Sequence, residues 1–309
     1  MEKGCHLCPR ECGAKRDLGE RGYCRMGSKV RVARAALHPF EEPPISGTRG
    51  SGTVFFTGCS LGCIFCQNKA IRPCESGREL SEEELAALFL FIQGAGAHNV
   101  NLVTPTHFAD RVAAALRMAK PHLRIPVVYN CGGYERVETL RMFSGLVDVY
   151  LPDFKYVSPT LSASYSAAPD YAKVATKALS CMYEQVGAVR YDADGMLKSG
   201  ITVRHLVLPG CREDSVAVLD AIAKTLPVSE ILLSLMRQYT PDFAPADAPR
   251  NLRRRLTSFE YDYVMAYAET LGFEGFFQGR DAATAAFTPN FEERDLLDDF
   301  LNKRADGAK

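Results

Sequence analysis

The 309-residue chain reads as an α/β protein, a (β/α)6 partial TIM barrel with a cysteine-rich N-terminal extension. Three observations predict this. From residue 53 short β-branched runs alternate with helical periods, the pattern of βαβ units around a parallel sheet. Six such runs occur, and polar residues sit at each, where barrel chemistry gathers. Seven of the eleven cysteines fall into two groups, one before residue 25 and one within 59–66. A doubly wound open sheet fits the same periodicity, which does not fix strand order. The domain reading is residues 1–50 as a metal-binding segment and arm, and 51–309 as the barrel with C-terminal helices.

TVFFT (53–57) is the first strand. Ser81 with Glu84 makes a capping box opening a helix that ends near Gly94. NVNLVT (99–104) is the second strand, 108–120 a helix, and RIPVVYN (124–130) the third strand. A helix near 135–144 leads to VDVYL (147–151), the fourth. Residues 171–186 carry Val174, Leu179, Met182 and Val186 at a helical period. ITVRHLVL (201–208) is the fifth strand, Asp214 caps a helix to about 225, and EILLSLM (230–236) is the sixth. Segment 237–257, rich in Pro, Asp and Arg, reads as an ordered functional loop, because long structureless loops are uncommon. Helices near 258–271 and 292–303 close the chain. The strand ends present Thr104, Thr106 and His107, then Asn130 and Cys131, then Asp153 and Lys155. Arg204 and His205 lie on the fifth strand, and Gln238 and Tyr239 follow the sixth.

Composition narrows the function. Hydrophobic residues make up 47%, enough for a sizeable core, and 37 basic residues balance 37 acidic ones. Zero net charge argues against nucleic-acid binding by bulk charge. The start MEKGCHLCPRECGAKRD has no apolar signal region, and LAALFLFIQGAGA is too short to span a bilayer. A cytoplasmic protein with no membrane and no nucleic-acid partner is expected. In a reducing cytosol, clustered cysteines point to metal ligation rather than disulfides.

FFTGCSLGCIFCQN (55–68) offers Cys59, Cys63 and Cys66 after the first strand. Thiolates chelate soft metals, and these spacings let one loop wrap one cluster. Gly58 and Gly62 permit the positive φ angles that wrapping needs, and Phe65 between two ligands shields the sulfurs. A zinc knot borrowing a fourth ligand is the alternative, although structural zinc sites normally use paired C-x2-C units. Three ligands on a four-iron cluster leave one iron open. CHLCPRECGAKRDLGERGYC supplies Cys5, Cys8, Cys12 and Cys24, four thiols that suit either a zinc knuckle or a second iron–sulfur cluster. Cys74, Cys131, Cys181 and Cys211 read as small core residues.

The C-x3-C-x2-C loop resembles that of the radical S-adenosylmethionine enzymes. HPFEEPPISG (38–47), GSGTVFFTGC (50–59), NLVTPTHF (101–108), LPDFKY (151–156), VRHLVLPG (203–210) and SLMRQY (234–239) extend the resemblance along nearly the whole chain, toward the pyruvate formate-lyase activating enzyme-like branch. The resemblance implies a 4Fe–4S cluster on Cys59, Cys63 and Cys66, whose open iron is chelated by S-adenosylmethionine. It implies reductive cleavage of that cofactor to a 5′-deoxyadenosyl radical that abstracts hydrogen. Thr104 and Thr106, with His107 beside them, stand where the family has an acid-ending glycine-rich motif for the methionine amine. Asn130 then approaches the ribose, Asp153 and Lys155 match the activase pair on strand four, and Arg204 takes the methionine carboxylate with His205 beside it. Lys155 and His205 are the catalytic candidates. A planar guanidinium independently suits a carboxylate. The implied partners are a protein or peptide substrate, in the first instance a glycyl-radical enzyme, and a flavodoxin- or ferredoxin-type electron donor. Radical chemistry on a small molecule or a tailored peptide, and a non-catalytic metal-binding or electron-transfer module, are the rival readings.

Each polar residue also has a plainer reading. Asp153 and Lys155 make a surface ion pair, His107 and His205 are hydrogen-bonded core histidines, and Arg204 pairs with a core acid. The run Arg253–Arg255 is a solvated helix approach or a dock for an acidic partner.

Overall fold

In a computed structural model the structure describes residues 4–279, 282, 291 and 293–307. Its strands are β1 (Val30–His38), β2 (Ser51–Phe56), β3 (Arg78–Leu80), β4 (Val100–Val103), β5 (Val127–Cys131), β6 (Val149–Pro152), β7 (Arg190–Tyr191), β8 (Leu197–Leu206), β9 (Leu232–Met236) and β10 (Gly275–Phe277). The helices are α1 (Pro43–Ser46), α2 (Glu82–Gly94), α3 (Ala109–Ala119), α4 (Val137–Arg141), α5 (Pro159–Ser166), α6 (Tyr171–Val186), α7 (Arg212–Thr225), α8 (Ser258–Thr270) and α9 (Leu296–Gly307).

Across the sheet the order is β10-β9-β8-β6-β5-β4-β2-β1-β3, with β7 paired to β8. All six expected strands form and run parallel, and β10 adds a seventh beyond β9. Each new parallel strand joins on the same side of its predecessor, so strand order never reverses as it does in a doubly wound sheet. Every crossover helix therefore falls on one face, and the sheet curls around the other as a partial barrel. Among the described residues the sheet's ends are β10 and β3, which do not pair, so the barrel formed by them is open.

Side-chain alternation separates two environments. Val54, Phe56, Leu102, Tyr129, Tyr150, Val203 and Leu235 join the large core shared with helices α2, α3, α6, α7 and α8. The opposite parity, Ser51, Asn101, Asn130, Asp153, Arg204 and Ser234, faces the barrel interior, which is unusually polar. The capping box of α2 forms as expected, with Ser81 Oγ accepting from Glu84 N and Glu84 Oε2 accepting from Ser81 N at 2.8 Å.

HPFEEPPISG (38–47), expected as an arm leading to the barrel, is together with β1 a structural part of it. β1 pairs antiparallel with β2, from Val32 opposite Phe56 to His38 opposite Ser51, so the chain leaves it beneath the parallel strands. It then turns inward. Ile45 packs on Val128, Val149, Leu151, Leu197 and Leu232, and its carbonyl accepts from Asn99 Nδ2 at 2.7 Å. The segment plugs the N-terminal mouth of the barrel, and Glu41 and Glu42 stand above the plug.

Other expectations shift for local reasons. Asp214 does not cap its own helix, whose N-cap is Cys211. Its carboxylate instead accepts from Ser158 N at 2.6 Å and Val157 N at 3.2 Å, tying down the loop after β6. The helix expected over 135–144 shortens to α4, and the closing helix starts at Leu296, residue 292 lying outside the described residues. Residues 237–257 hold two single 3-10 turns, Pro241–Phe243 and Arg250–Arg253. Among the described residues no helix is long and apolar enough to cross a membrane.

Ile45 is 1% exposed. Ile45→Ala is expected to lower stability by about 2–5 kcal/mol, the usual range for an aliphatic core truncation. Denaturant unfolding measures it.

Candidate active site

Where the parallel strands end, one cavity of about 520 Å³ opens. Cys59, Cys63, Cys66, Thr104, Thr106, Asn130, Asp153, Lys155 and Arg204 all line it, although they come from five separate stretches of sequence. The plug contributes Glu41 and Glu42 from below. His107 and His205 are not on its wall.

The cysteine loop leaves β2 through Gly58 at φ +87° and turns again at Gly62 at φ +72°. These are left-handed conformations that favour glycine. Ser166 Oγ donates to Cys63 Sγ at 3.0 Å, and Leu61 N donates to Cys59 Sγ at 3.3 Å. Such donors to sulfur set the potential of a bound cluster. Phe65 lies edge-on to Tyr165 and Tyr239, with ring centroids 6.2 and 6.0 Å away, an aromatic wall behind the thiols. Burial, reinforced by Cys63 and Cys59, pushes the Cys66 thiol up to about 12. Burial likewise raises Cys59. Metal binding here must therefore release protons.

Below the loop lies a charge network. Arg204 Nε donates to Asp153 Oδ1 at 3.0 Å, Nη1 to Glu41 Oε2 at 3.3 Å and Nη2 to Asn130 Oδ1 at 2.6 Å. Lys155 Nζ donates to Asp153 Oδ2 at 2.6 Å. Glu41 Oε1 accepts from Asn101 Nδ2 at 3.1 Å and Asn130 Nδ2 at 3.3 Å. Burial works against the Asp153 anion, but Lys155 and Arg204 together hold its carboxyl below the usual range. Burial would pull Lys155 down, yet Asp153 and then Cys63 hold it high. Burial raises both Glu41 and Glu42, with Arg204 opposing. The plainer reading of Arg204 is thus part of the answer, since it does pair with core acids, and it does so inside the cavity.

The second strand ends in an unusual backbone. Thr104 has φ +60°, a left-handed conformation in a β-branched residue, and its N–H donates to Asn130 O at 2.8 Å. Such strain of about 1–3 kcal/mol persists only where surroundings over-determine it. Thr106 Oγ1 donates to Glu135 Oε1 at 2.8 Å, and Tyr129 Oη donates to Oε2 at 3.2 Å. Glu135 is a cavity residue that the sequence reading placed at a helix start. Only the Gly132-Gly133 pair just before it hinted at a turn that folds it back. Burial pushes its carboxyl up to about 7, against the hydrogen bonds from Thr106, Tyr129 and the Cys131 thiol. Ser234, Gln238 and Gln278 complete the polar wall.

The histidines follow strand parity. Adjacent residues on a strand face opposite sides, so with Arg204 inward, His205 faces the helices. Its Nδ1 lies 2.7 Å from Phe154 O, Nε2 has no partner among the described residues, and burial brings the ring down to about 4. His107 Nε2 lies 2.7 Å from Thr57 O behind the cysteine loop, and burial lowers it likewise to about 4. Of the lone cysteines, Cys131 is buried on the cavity wall and Cys181 and Cys211 lie in the core, while Cys74 is partly exposed beside Arg21 and Glu75.

Two outcomes follow from these charges. Asp153→Asn leaves Lys155 and Arg204 with less compensation, and truncated buried pairs typically cost about 3–5 kcal/mol; denaturant titration measures the loss. Glu135 has an ordinary value of 4.5 and a folded value of about 7, so between those pH values the folded chain holds a proton that the unfolded chain releases. Stability then falls as pH rises through that window, by about 3 kcal/mol in all. Glu135→Gln removes that slope in unfolding curves taken from pH 4.5 to pH 7.

Residues 53–178 match the family model described as Radical SAM superfamily. The uncharacterized protein MJ0674 of Methanocaldococcus jannaschii is 27% identical over 278 residues, covering 86% of this chain and 75% of its own. Among solved structures, methylornithine synthase (PylB) aligns with a TM-score of 0.48 at 14% identity, over 81% of this chain and 79% of its own. Streptococcus suis SuiB bound to precursor peptide SuiA aligns at 0.49 and 12%, over 78% and 52%. With three thiols on the loop after the first parallel strand, residues 53–178 are a radical S-adenosylmethionine domain, of the superfamily whose cofactors are a 4Fe–4S cluster and S-adenosylmethionine.

Proposed function

We propose that this radical S-adenosylmethionine enzyme takes a hydrogen atom from a protein or peptide, and that it acts as an activase of a glycyl-radical enzyme. One observation carries the reading. The three thiols, two cations and four carboxylates line the same cavity, at the rim of a barrel whose sheet is not closed among the described residues. When bound, the cluster and S-adenosylmethionine supply one-electron cleavage of the sulfonium to methionine and a 5′-deoxyadenosyl radical.

The donor set fits those groups. Cys59, Cys63 and Cys66 would hold the cluster as three protein thiols at the cavity rim, where S-adenosylmethionine would bind beside it. Arg204 has each of its nitrogens engaged by Asp153, Glu41 or Asn130. Lys155 has three donors and the Asp153 carboxylate as its hydrogen-bond partner. The methionine carboxylate therefore falls to Lys155, with Arg204 fixing Asp153 behind it, rather than to Arg204 itself. The carboxylate that would replace the family's acid-ending motif is Glu135, held by Thr106 beside the strained end of β4, and it would take the methionine amine. Asn130 remains the contact for the ribose. Keeping water from the reacting atoms is the protein's share in cofactor chemistry of this kind. The similarity of LPDFKY (151–156) to the activase strand-four pair supports a protein substrate.

Anaerobic reconstitution with iron and sulfide, then reduction with S-adenosylmethionine present, is expected to release 5′-deoxyadenosine. Cys63→Ala abolishes it. An intact cluster spectrum without cleavage overturns the enzyme reading. Mixing with a glycyl-radical enzyme is expected to give a doublet radical signal, and cleavage without that signal moves the substrate to another peptide or a small molecule.

A further inference from the structure

One charged group on the cavity wall has no assignment yet. Glu42 is 8% exposed and lines the cavity, but its Oε2 atom has no hydrogen-bond partner among the described residues. A buried carboxylate oxygen left without a partner costs free energy. The two cavity cations do not supply the partner. Arg204 spends its nitrogens on Asp153, Glu41 and Asn130, and Lys155 Nζ donates to Asp153. Glu135 has Thr106 and Tyr129 as donors. Burial disfavours the Glu42 anion, and only the nearby charge of Arg204 and the Ser234 hydroxyl offset it, with Glu41 adding to the burden.

The backbone fixes where this carboxylate stands. Glu42 precedes Pro43 and Pro44, and its φ of −51° and ψ of 143° are the extended values that a following proline favours. Its carbonyl accepts from Ile45 N at 2.8 Å and Ser46 N at 3.0 Å, while Glu41 N donates to Ser46 Oγ at 2.9 Å. Ile45 is anchored in the plug below. The acid is therefore presented by a turn that is already ordered.

What surrounds it comes from one side of the barrel. In the register of β8, β9 and β10, Arg204 lies opposite Ser234 and Ser234 opposite Phe276. Two residues further on, Leu206 lies opposite Met236. All of these line the cavity, and so does the amide pair in which Gln278 Nε2 donates to Gln238 Oε1 at 3.0 Å. Arg237 N donates to Gln278 Oε1 at 2.7 Å and pins that pair. The thiols follow β2 and Thr104 follows β4, with β5 and β6 between them and this wall. The methionine carboxylate and amine are taken by Lys155 and Glu135 in the reading above, which leaves Glu42 for another molecule. An apolar wall of Leu206, Met236 and Phe276 beside a buried acid suits a side chain with an alkyl stem and a cationic head.

We propose that the β8–β9–β10 side of the cavity is the substrate subsite, where Glu42 takes the cationic head of a lysine or arginine side chain carried by the substrate. This deepens the reading of a peptide or protein substrate and rests on it.

The test uses the full chain, reconstituted with its cluster and holding S-adenosylmethionine, without reductant, so that binding is read and no turnover occurs. Blocked tripeptides with lysine, arginine or norleucine between two glycines are titrated calorimetrically. At least one basic tripeptide is expected to bind about 10- to 100-fold more tightly than the norleucine one, the value of a hydrogen bond to a charged group. Either order between lysine and arginine supports the subsite and identifies the head group. Glu42→Gln is expected to remove the preference. Ser234→Lys keeps Glu42 but offers it an ammonium from within the chain, and it is expected to remove the preference too, which decides the matter if Glu42→Gln fails to fold. Equal binding of the three tripeptides, or no binding of any at millimolar concentration, overturns the proposal. So does a preference that survives both variants, and so does a Glu42→Gln variant that loses affinity for S-adenosylmethionine and still sorts the tripeptides. No preference alongside normal release of 5′-deoxyadenosine sinks this subsite alone, whereas a preference without release sinks the enzyme reading alone.

Discussion

A guanidinium placed inside a barrel has to be compensated there, and the interior of this protein is arranged around Arg204. Its three kinds of nitrogen reach β5 through Asn130, the end of β6 through Asp153 and the plug through Glu41. Removing charge from water costs several kcal/mol per ion unless partners and hydrogen bonds return it. The network therefore binds the strands and the plug to one another. Asp153 also holds Lys155 on the cavity wall, so both buried cations share one carboxylate.

This constraint explains the layering of the site from bottom to top. Ile45 and its aliphatic neighbours seal the N-terminal mouth. Glu41 and Glu42 stand on that seal, with the Glu42 Oε2 atom lacking a hydrogen-bond partner among the described residues. The cationic pair comes next, and the thiols form the rim. Glu135 and the strained Thr104 hold one side wall. Soft sulfur ligands sit over hard charged groups, an order suited to a metal cluster that shares a small, zwitterionic ligand with the protein. The N-terminal segment with Cys5, Cys8, Cys12 and Cys24 lies outside the cavity wall and braces the rim through Arg10, which donates to Ser60 O and Leu61 O.

Much of this was legible before any coordinates. The six parallel strands, α2 with its capping box, and α6 over residues 171–186 follow from local periodicity and local hydrogen bonding, which short windows contain. The cysteine loop was legible because its chemistry depends on spacing alone. β1, β3 and β10 were not, because they are short or half-polar and gain their stability from a partner strand far along the chain. His205 shows the same limit at one residue. Its neighbour Arg204 and it are equally polar, and only the registration of β8 beside β6 and β9 settles which of them faces the cavity.

By itself the sequence determined that three thiols wrap one loop, that four more lie close in the chain, and that six strands alternate with helices. Those facts rest on contacts between near neighbours. The tertiary structure decided that HPFEEPPIS is a plug rather than an arm, and that Asp214 serves another loop. It also decided that Glu135 belongs to the cavity and that the Cys24 backbone sits against Gly58. Each depends on charge compensation or steric fit between segments tens of residues apart, for which local periodicity holds no signal.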